Sequence, residues 1–264
     1  MFVKAIEKVS RFVRPICFVE RLNNDELISG TATIFFVNDE GVAITCKHVV
    51  NMLINFDKLK NNRLENSNYK DAIISFHNCY EVINSIQYIM HPIYDIAIIK
   101  FNGIGKLYDG HATFLKDDLE IKQGKSLCRL GYAFPEFNNY KIDSNEDKLV
   151  FTSLGNQNVP TFPIDGIVTR LVKDENQIFG IELSTPGFNG QSGAPLFDTN
   201  GTIYGIQSLT KHFHLGFDIV NQEIRSGLDK KIVSNYPFIN LGQCLHLNII
   251  KDFLKANNIN YTEE

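Results

Sequence analysis

The sequence predicts an all-β fold, a barrel or a sandwich, finished by one C-terminal helix. Three observations predict it. Short β-prone runs recur along most of the chain, separated by turn signals. Asn200-Gly201, set between two such runs, is a strong hairpin signal. Helical spacing is confined to the two ends. With 264 residues there is room for one large or two small domains, and 44% hydrophobic content supplies a core.

Phe2, Ile6, Val9 and Val13 lie at helical spacing, so residues 2–14 predict a short amphipathic helix that Pro15 ends. Residues 16–20 then read as a strand, and Asn23-Asn24-Asp25 as a turn. Residues 31–37 and 42–45 are β-rich and joined by Asn38-Asp39-Glu40-Gly41, a hairpin connection. Residues 51–70, rich in Asn and Lys, read as a surface excursion, with 61–68 a solvated loop. Residues 72–76, 82–90 and 96–101 predict strands, and 102–124 a link between two halves. Further strands are expected at 126–132, 149–153, 164–172, 178–183, 195–198 and 202–208. Ile250, Phe253 and Leu254 place a helix at 247–257.

A net charge of -4 without a long basic run argues against a nucleic-acid partner or an anionic membrane surface. No apolar run reaches the roughly 20 residues of a membrane span. The first twenty residues are interrupted by Lys4, Glu7, Lys8, Arg11 and Arg14, which does not suit a signal peptide. Five scattered cysteines form no close pairs and read as free thiols in a reducing, cytoplasmic setting.

The stretch Gly187-Phe188-Asn189-Gly190-Gln191-Ser192-Gly193-Ala194-Pro195 encloses one serine among three glycines and a proline. Such a bend projects a hydroxyl and turns neighbouring N–H groups towards a common point, which acyl transfer requires. Alone it reads as a surface loop. His48 follows the end of the strand at 42–45; alone it reads as a structural histidine. Asp95 stands at the entrance of the apolar run 96–101, where a carboxylate needs a partner. In the order His48, Asp95, Ser192 these residue types suit a base, an orienting carboxylate and a nucleophile. The amides of Gly190 and Ser192 would receive an oxyanion.

Thr45-Cys46-Lys47-His48-Val49-Val50, Asp95-Ile96-Ala97-Ile98-Ile99-Lys100 and Gly190-Gln191-Ser192-Gly193-Ala194-Pro195 resemble the three signature segments of chymotrypsin-fold serine proteases. The nearest likeness is to bacterial HtrA/Deg-like and trypsin-like peptidases, and it covers roughly residues 3 to 256. The resemblance implies two packed six-stranded antiparallel β-barrels with a C-terminal helix. Residues 1–112 would carry His48 and Asp95, and 113–264 would carry Ser192. It implies a serine endopeptidase with no cofactor and no metal, acting on a polypeptide and open to control by a regulatory protein. It also implies that Pro186, Gly187, Phe188, Asn189, Ser208, Leu209 and Thr210 line the pocket for the residue before the cut.

The departures from that pattern matter. Gln191 stands where secreted trypsins have the aspartate that binds a newly cut N-terminus, so no zymogen step is expected. Ala194 replaces a glycine. The chain ends before the PDZ domain usual in the HtrA/Deg group, so that group's scaffold is not carried over. No acidic residue lies in the pocket segments, which disfavours cleavage after Lys or Arg and leaves a small or medium apolar residue as the expectation. His212 and His214, two apart, lack a third nearby metal ligand. His91 lies near Asp95 but suits the base role less than His48. Ser144, Ser153, Ser184, Cys46 and Cys128 lack a glycine-framed turn. The rival reading is a catalytically silent protease-fold module that binds a peptide or partner, motivated by Gln191 and Ala194.

Overall fold

The runs richest in β-branched and aromatic residues pair as antiparallel strands in a computed structural model that describes residues 1–60, 68–175, 177–227 and 229–264. The first part of the chain forms α1 (Val3–Val9), β1 (Val13–Leu22), β2 (Leu27–Phe36), β3 (Val42–Thr45), α2 (Lys47–Lys60), β4 (Tyr69–Phe76), β5 (Tyr80–Met90) and β6 (Ala97–Lys106). There follow β7 (Thr113–Phe114), β8 (Ser126–Gly131), β9 (Tyr140–Asp143), β10 (Lys148–Phe151), β11 (Phe162–Lys173), β12 (Ile178–Leu183) and β13 (Pro195–Phe197). The last elements are β14 (Ile203–His214), β15 (Ile219–Ser226), β16 (Asp229–Asn235), β17 (Phe238–His246), α3 (Leu247–Ala256) and β18 (Thr262–Glu263).

The expected all-β architecture is present. One six-stranded sheet has the order β4-β1-β2-β3-β6-β5, antiparallel throughout. In the second, β13-β8-β11-β12-β17-β14 closes on itself because β13 also pairs with β14. Closure removes the free edges that would invite association. β7 and β18 extend that barrel in parallel along β14.

One apolar cluster runs through both sheets, joining Ile34, Phe36, Ile44 and Ile98 to Phe114, Phe197, Ile203 and Leu245. Burying side chains of this size contributes about 1.5–3 kcal/mol each. Residues 31–36 of β2 are all buried, so this strand is covered on both faces. That matters below, because one of those faces meets the serine loop. α3 closes the core with Ile249, Ile250, Phe253 and Leu254, as its helical spacing requires.

Three expectations change. The first helix ends at Val9, capped by Ser10, and Pro15 lies inside β1. Burial of Phe12 and Val13 draws the chain out of the helix. Pro15 sits where the ladder to β4 begins at Ile16, a strand position that tolerates the missing N–H. Residues 51–60 belong to α2 rather than a surface excursion. Val49, Val50, Leu53 and Phe56 form its buried face, and the Asn and Lys content belongs to the other side. Residues 61–67 of the expected loop lie outside the described residues. Finally, β14 continues six residues beyond Ser208, and β9, β15, β16 and β17 are strands not read from the sequence.

All five cysteines are free and buried. Burial pushes the Cys17, Cys128 and Cys244 thiols up to about 12, and raises those of Cys46 and Cys79 as well. Since the thiolate is the reactive form, an aromatic disulfide reagent should leave the native protein unmodified at mildly alkaline pH. The unfolded chain should titrate all five thiols; a thiol that reacts at once in the native state would contradict this packing.

Candidate active site

β3 ends in Thr45 and the chain turns directly into α2, so His48 lies in the first turn of that helix. Asp95 is presented by a turn built around His91. The His91 Nδ1 atom accepts from the amides of Ile93 (3.1 Å) and Tyr94 (2.9 Å), and its own amide donates to Ile96 O. Burial and nearby Lys47 lower the His91 pKa. Its ring lies against Phe253. His91 therefore shapes the turn and does not reach the serine.

The side chains from positions 48, 95 and 192 meet in one hydrogen-bonded chain. His48 Nδ1 lies 2.8 Å from Asp95 Oδ2, and His48 Nε2 lies 3.0 Å from Ser192 Oγ. A carboxylate only accepts, so Nδ1 carries the ring hydrogen and Nε2 is left to accept from the serine hydroxyl. Asp95 Oδ1 accepts from the His48 amide at 2.9 Å, and Oδ2 also accepts from Ser208 Oγ at 2.6 Å. Burial alone would raise the Asp95 carboxyl; the bonds from His48 and Ser208 outweigh it and hold the group below its ordinary value. Ser208 belongs to β14, so the second sheet helps to fix a carboxylate carried by the first. The sequence reading gave Ser208 a place in the pocket and missed this role.

The serine loop is pressed onto β2. Gly190 and Gly193 have φ of +94° and +89°, which side chains rarely adopt. A Cβ on Gly190 would stand 2.2 Å from Tyr132 O, and one on Gly193 would stand 2.0 Å from Thr33 O. Thr33 secures the contact. Its amide donates to Ser192 O (2.9 Å), its hydroxyl donates to Gly190 O (2.7 Å), and the same oxygen accepts from Tyr132 N (3.2 Å). Gln191 is fully buried and braces the loop from within. Its Oε1 accepts from Phe188 N and its Nε2 donates to Phe162 O. Among the described residues the amides of Gly190 and Ser192 donate to no protein acceptor.

Beside Ser192 opens a cavity of about 360 Å³, lined by all seven expected pocket residues: Pro186, Gly187, Phe188, Asn189, Ser208, Leu209 and Thr210. Gln207, His212 and Asn240 line it as well and were not anticipated. His212 Nδ1 lies 2.5 Å from Asn240 Oδ1, across the β14–β17 ladder that pairs the two residues. His214 instead pairs with Asp218. The two histidines thus have separate partners. Among the described residues the one cluster of metal-ligating types is Cys46, His48 and Asp95. It suits a cation poorly, because burial holds the Cys46 thiol protonated and the thiol donates to Gln207 O.

Residues 30–206 match the family model described as the trypsin-like peptidase domain. No curated protein matches the chain. Among solved structures the HtrA-type protease AlgW with a tripeptide is 14% identical, with a TM-score of 0.53, and a variant of AlgW with a tripeptide is 13% identical, with a TM-score of 0.54. In both cases the match covers 97% of this chain and 63% of the other. The chain thus spans less than two thirds of their length, and at such identity the likeness shows the fold alone.

Two expectations come from this geometry. Thr33→Val keeps the shape but leaves Gly190 O and Tyr132 N without their partner. It should lower the unfolding free energy in urea by about 1–3 kcal/mol and slow phosphonylation of Ser192; an unaltered urea midpoint would count against the brace. The second concerns acid. The folded Asp95 pKa lies below the ordinary carboxylate value of about 3.9. Its contribution is therefore fully present above that value and is lost as pH falls through the lower, folded one. The stability advantage of the native chain over Asp95→Asn should hold steady from neutral pH to about pH 5 and shrink below about pH 4. An advantage that grows on acidification would refute the assignment.

Proposed function

Because the chain belongs to the trypsin-like peptidase domain family, we propose that it is a serine endopeptidase, with Ser192 as nucleophile, His48 as general base and Asp95 as the residue that orients His48. The observation that carries this reading is the continuous bond chain from Asp95 Oδ2 through His48 to Ser192 Oγ. Ser192 Oγ attacks the peptide carbonyl carbon as its proton passes to His48 Nε2. Asp95 stabilises the resulting imidazolium and stays ionised. The carbonyl oxygen gains negative charge and is met by the Gly190 and Ser192 amides, each worth about 3–4 kcal/mol of barrier. The C–N bond then breaks, and His48 Nε2 returns the proton to the leaving amine. A water, deprotonated by His48, hydrolyses the acyl ester and restores Ser192.

The two halves, 1–112 and 113–264, divide this chemistry. The first supplies base and carboxylate; the second supplies the nucleophile, both oxyanion amides and Ser208. The neutral Gln191, bonded at both ends of its amide, supports a loop that is ordered without a newly formed N-terminus. The reading includes a cytoplasmic setting and leaves control by a protein partner open. A silent binding module would be favoured by a serine loop folded over its own amides. That the Gly190 and Ser192 amides donate to no protein acceptor among the described residues supports the endopeptidase reading instead.

Ser192→Ala should lower kcat/KM on a polypeptide substrate by roughly a millionfold and abolish labelling by a fluorophosphonate. Native chain that takes no fluorophosphonate, alone or with candidate partners, would remove the endopeptidase reading and favour the binding module.

A further inference from the structure

Behind the pocket beside Ser192 lies Arg129 of β8, the largest of the completely buried side chains. Its Nη1 donates to Gln207 Oε1 at 2.6 Å. Its Nη2 donates to Thr185 Oγ1 at 2.6 Å and to Thr185 O at 3.1 Å. Its Nε has no partner. Among the described residues no carboxylate lies within ion-pair distance of it. A guanidinium keeps its charge in proteins, and a buried charge without a counter-ion is costly. The space for it is built: a Cβ on Gly242 would stand 2.3 Å from Arg129 Nη1, and a Cβ on Gly187 would stand 2.4 Å from Gln207 Nε2. Two glycines thus make room for two hydrogen-bonded polar side chains.

Resting on the endopeptidase reading, we propose that this pocket selects an acidic side chain, Glu or Asp, in the residue before the scissile bond, with Arg129 as the specificity-determining cation. Gln207 carries the charge forward. Its Oε1 is committed to Arg129, so Nε2 is left as the donor on the pocket side, with one hydrogen on Leu209 O at 2.8 Å. A substrate carboxylate accepts the second hydrogen. At the rim, His212 donates through Nδ1 to Asn240 Oδ1, and its Nε2 can donate to a substrate carboxylate only when the ring carries both hydrogens. No residue lining the cavity is acidic. Asp95, which Ser208 of the cavity lining bonds, has both of its oxygens held by His48 and Ser208. A basic side chain would place a second cation in front of Arg129. An apolar one would bury the Gln207 N–H without an acceptor, and sites built to hydrogen-bond a substrate group reject ligands that lack it. This replaces the small or medium apolar residue expected from sequence.

The test uses peptidyl phosphonate probes that differ only in the side chain before the phosphorus, carrying Glu, Gln, Val or Lys. They are applied to the full chain beside a simple fluorophosphonate. The Glu probe should modify Ser192 about tenfold or more faster than its isostere Gln, with Lys slowest. Arg129→Met should bring the Glu-to-Gln ratio towards one. His212→Leu, at an exposed position, should lower it partway. If Arg129→Met does not fold, the native ratio and His212→Leu decide. Equal rates for Glu and Gln, or faster labelling by Val, overturn the proposal while labelling by the fluorophosphonate leaves the endopeptidase reading standing. Failure of every probe, the fluorophosphonate included, removes both.

Discussion

The site depends on one contact, the seating of the serine loop of the second sheet against β2 of the first. Thr33 makes it with three hydrogen bonds from a single residue, two to the loop and one from Tyr132. Because both faces of β2 are buried at this point, those groups have no water to turn to, and each unmade bond would cost its full desolvation. The loop therefore cannot drift from the first sheet without leaving several polar groups bare. Gly190 and Gly193 allow the approach, since any side chain there would meet the backbone of β2 or β8's exit. Holding Ser192 in register with His48 is a consequence of this seating and not of the serine itself.

The reverse dependence is carried by Ser208. Asp95 and His48 are both mounted on the first sheet, yet Asp95 Oδ2 accepts from a β14 hydroxyl as well as from the imidazole. Each sheet thus positions a group that belongs to the other. Sliding one barrel against the other would break both links at once, which makes the arrangement cooperative. A two-point attachment of this kind suits the catalytic role proposed for these groups, because reacting groups tolerate misplacement of only about an ångström.

Much of this was legible in the sequence because it is local. A serine among glycines, a histidine after a buried strand and an aspartate before one are each readable within six residues, and the fold brings their side chains into one hydrogen-bonded chain. The strand runs were legible where β-branched residues crowd together, as at 31–37 and 178–183. What escaped was whatever depends on distant register. Arg129, Gln207, His212 and Asn240 come from β8, β14 and β17, and only the pairing of those strands brings them to one cavity. The α2 helix escaped for a different reason. Its buried stripe at Val49, Leu53 and Phe56 was present, but the Asn and Lys content of the exposed side masked it. Pro15 misled because its missing donor matters only where a ladder bond is required, and the β4 ladder starts one residue later.

The buried Arg129 also bears on how the second barrel balances stability against recognition. Three acceptors satisfy part of the guanidinium, but its Nε is unbonded and, among the described residues, no carboxylate accompanies it. An aliphatic residue of similar volume would fill the same space between Gly242 and Gln207 without that penalty, and replacing buried charges in this way is often neutral or stabilising. A barrel selected for stability alone would have no use for it. Departures from local rules concentrate where a protein must interact with something outside itself. Here the departure lies directly behind the cavity that adjoins Ser192. Gln207, which touches both the cation and the cavity wall, is the only link between the two among these residues. On the proposed reading the unbalanced charge and the chemistry assigned to Ser192 are parts of one site, and a ligand that brings a carboxylate to that cavity completes the barrel's polar interior as it is bound.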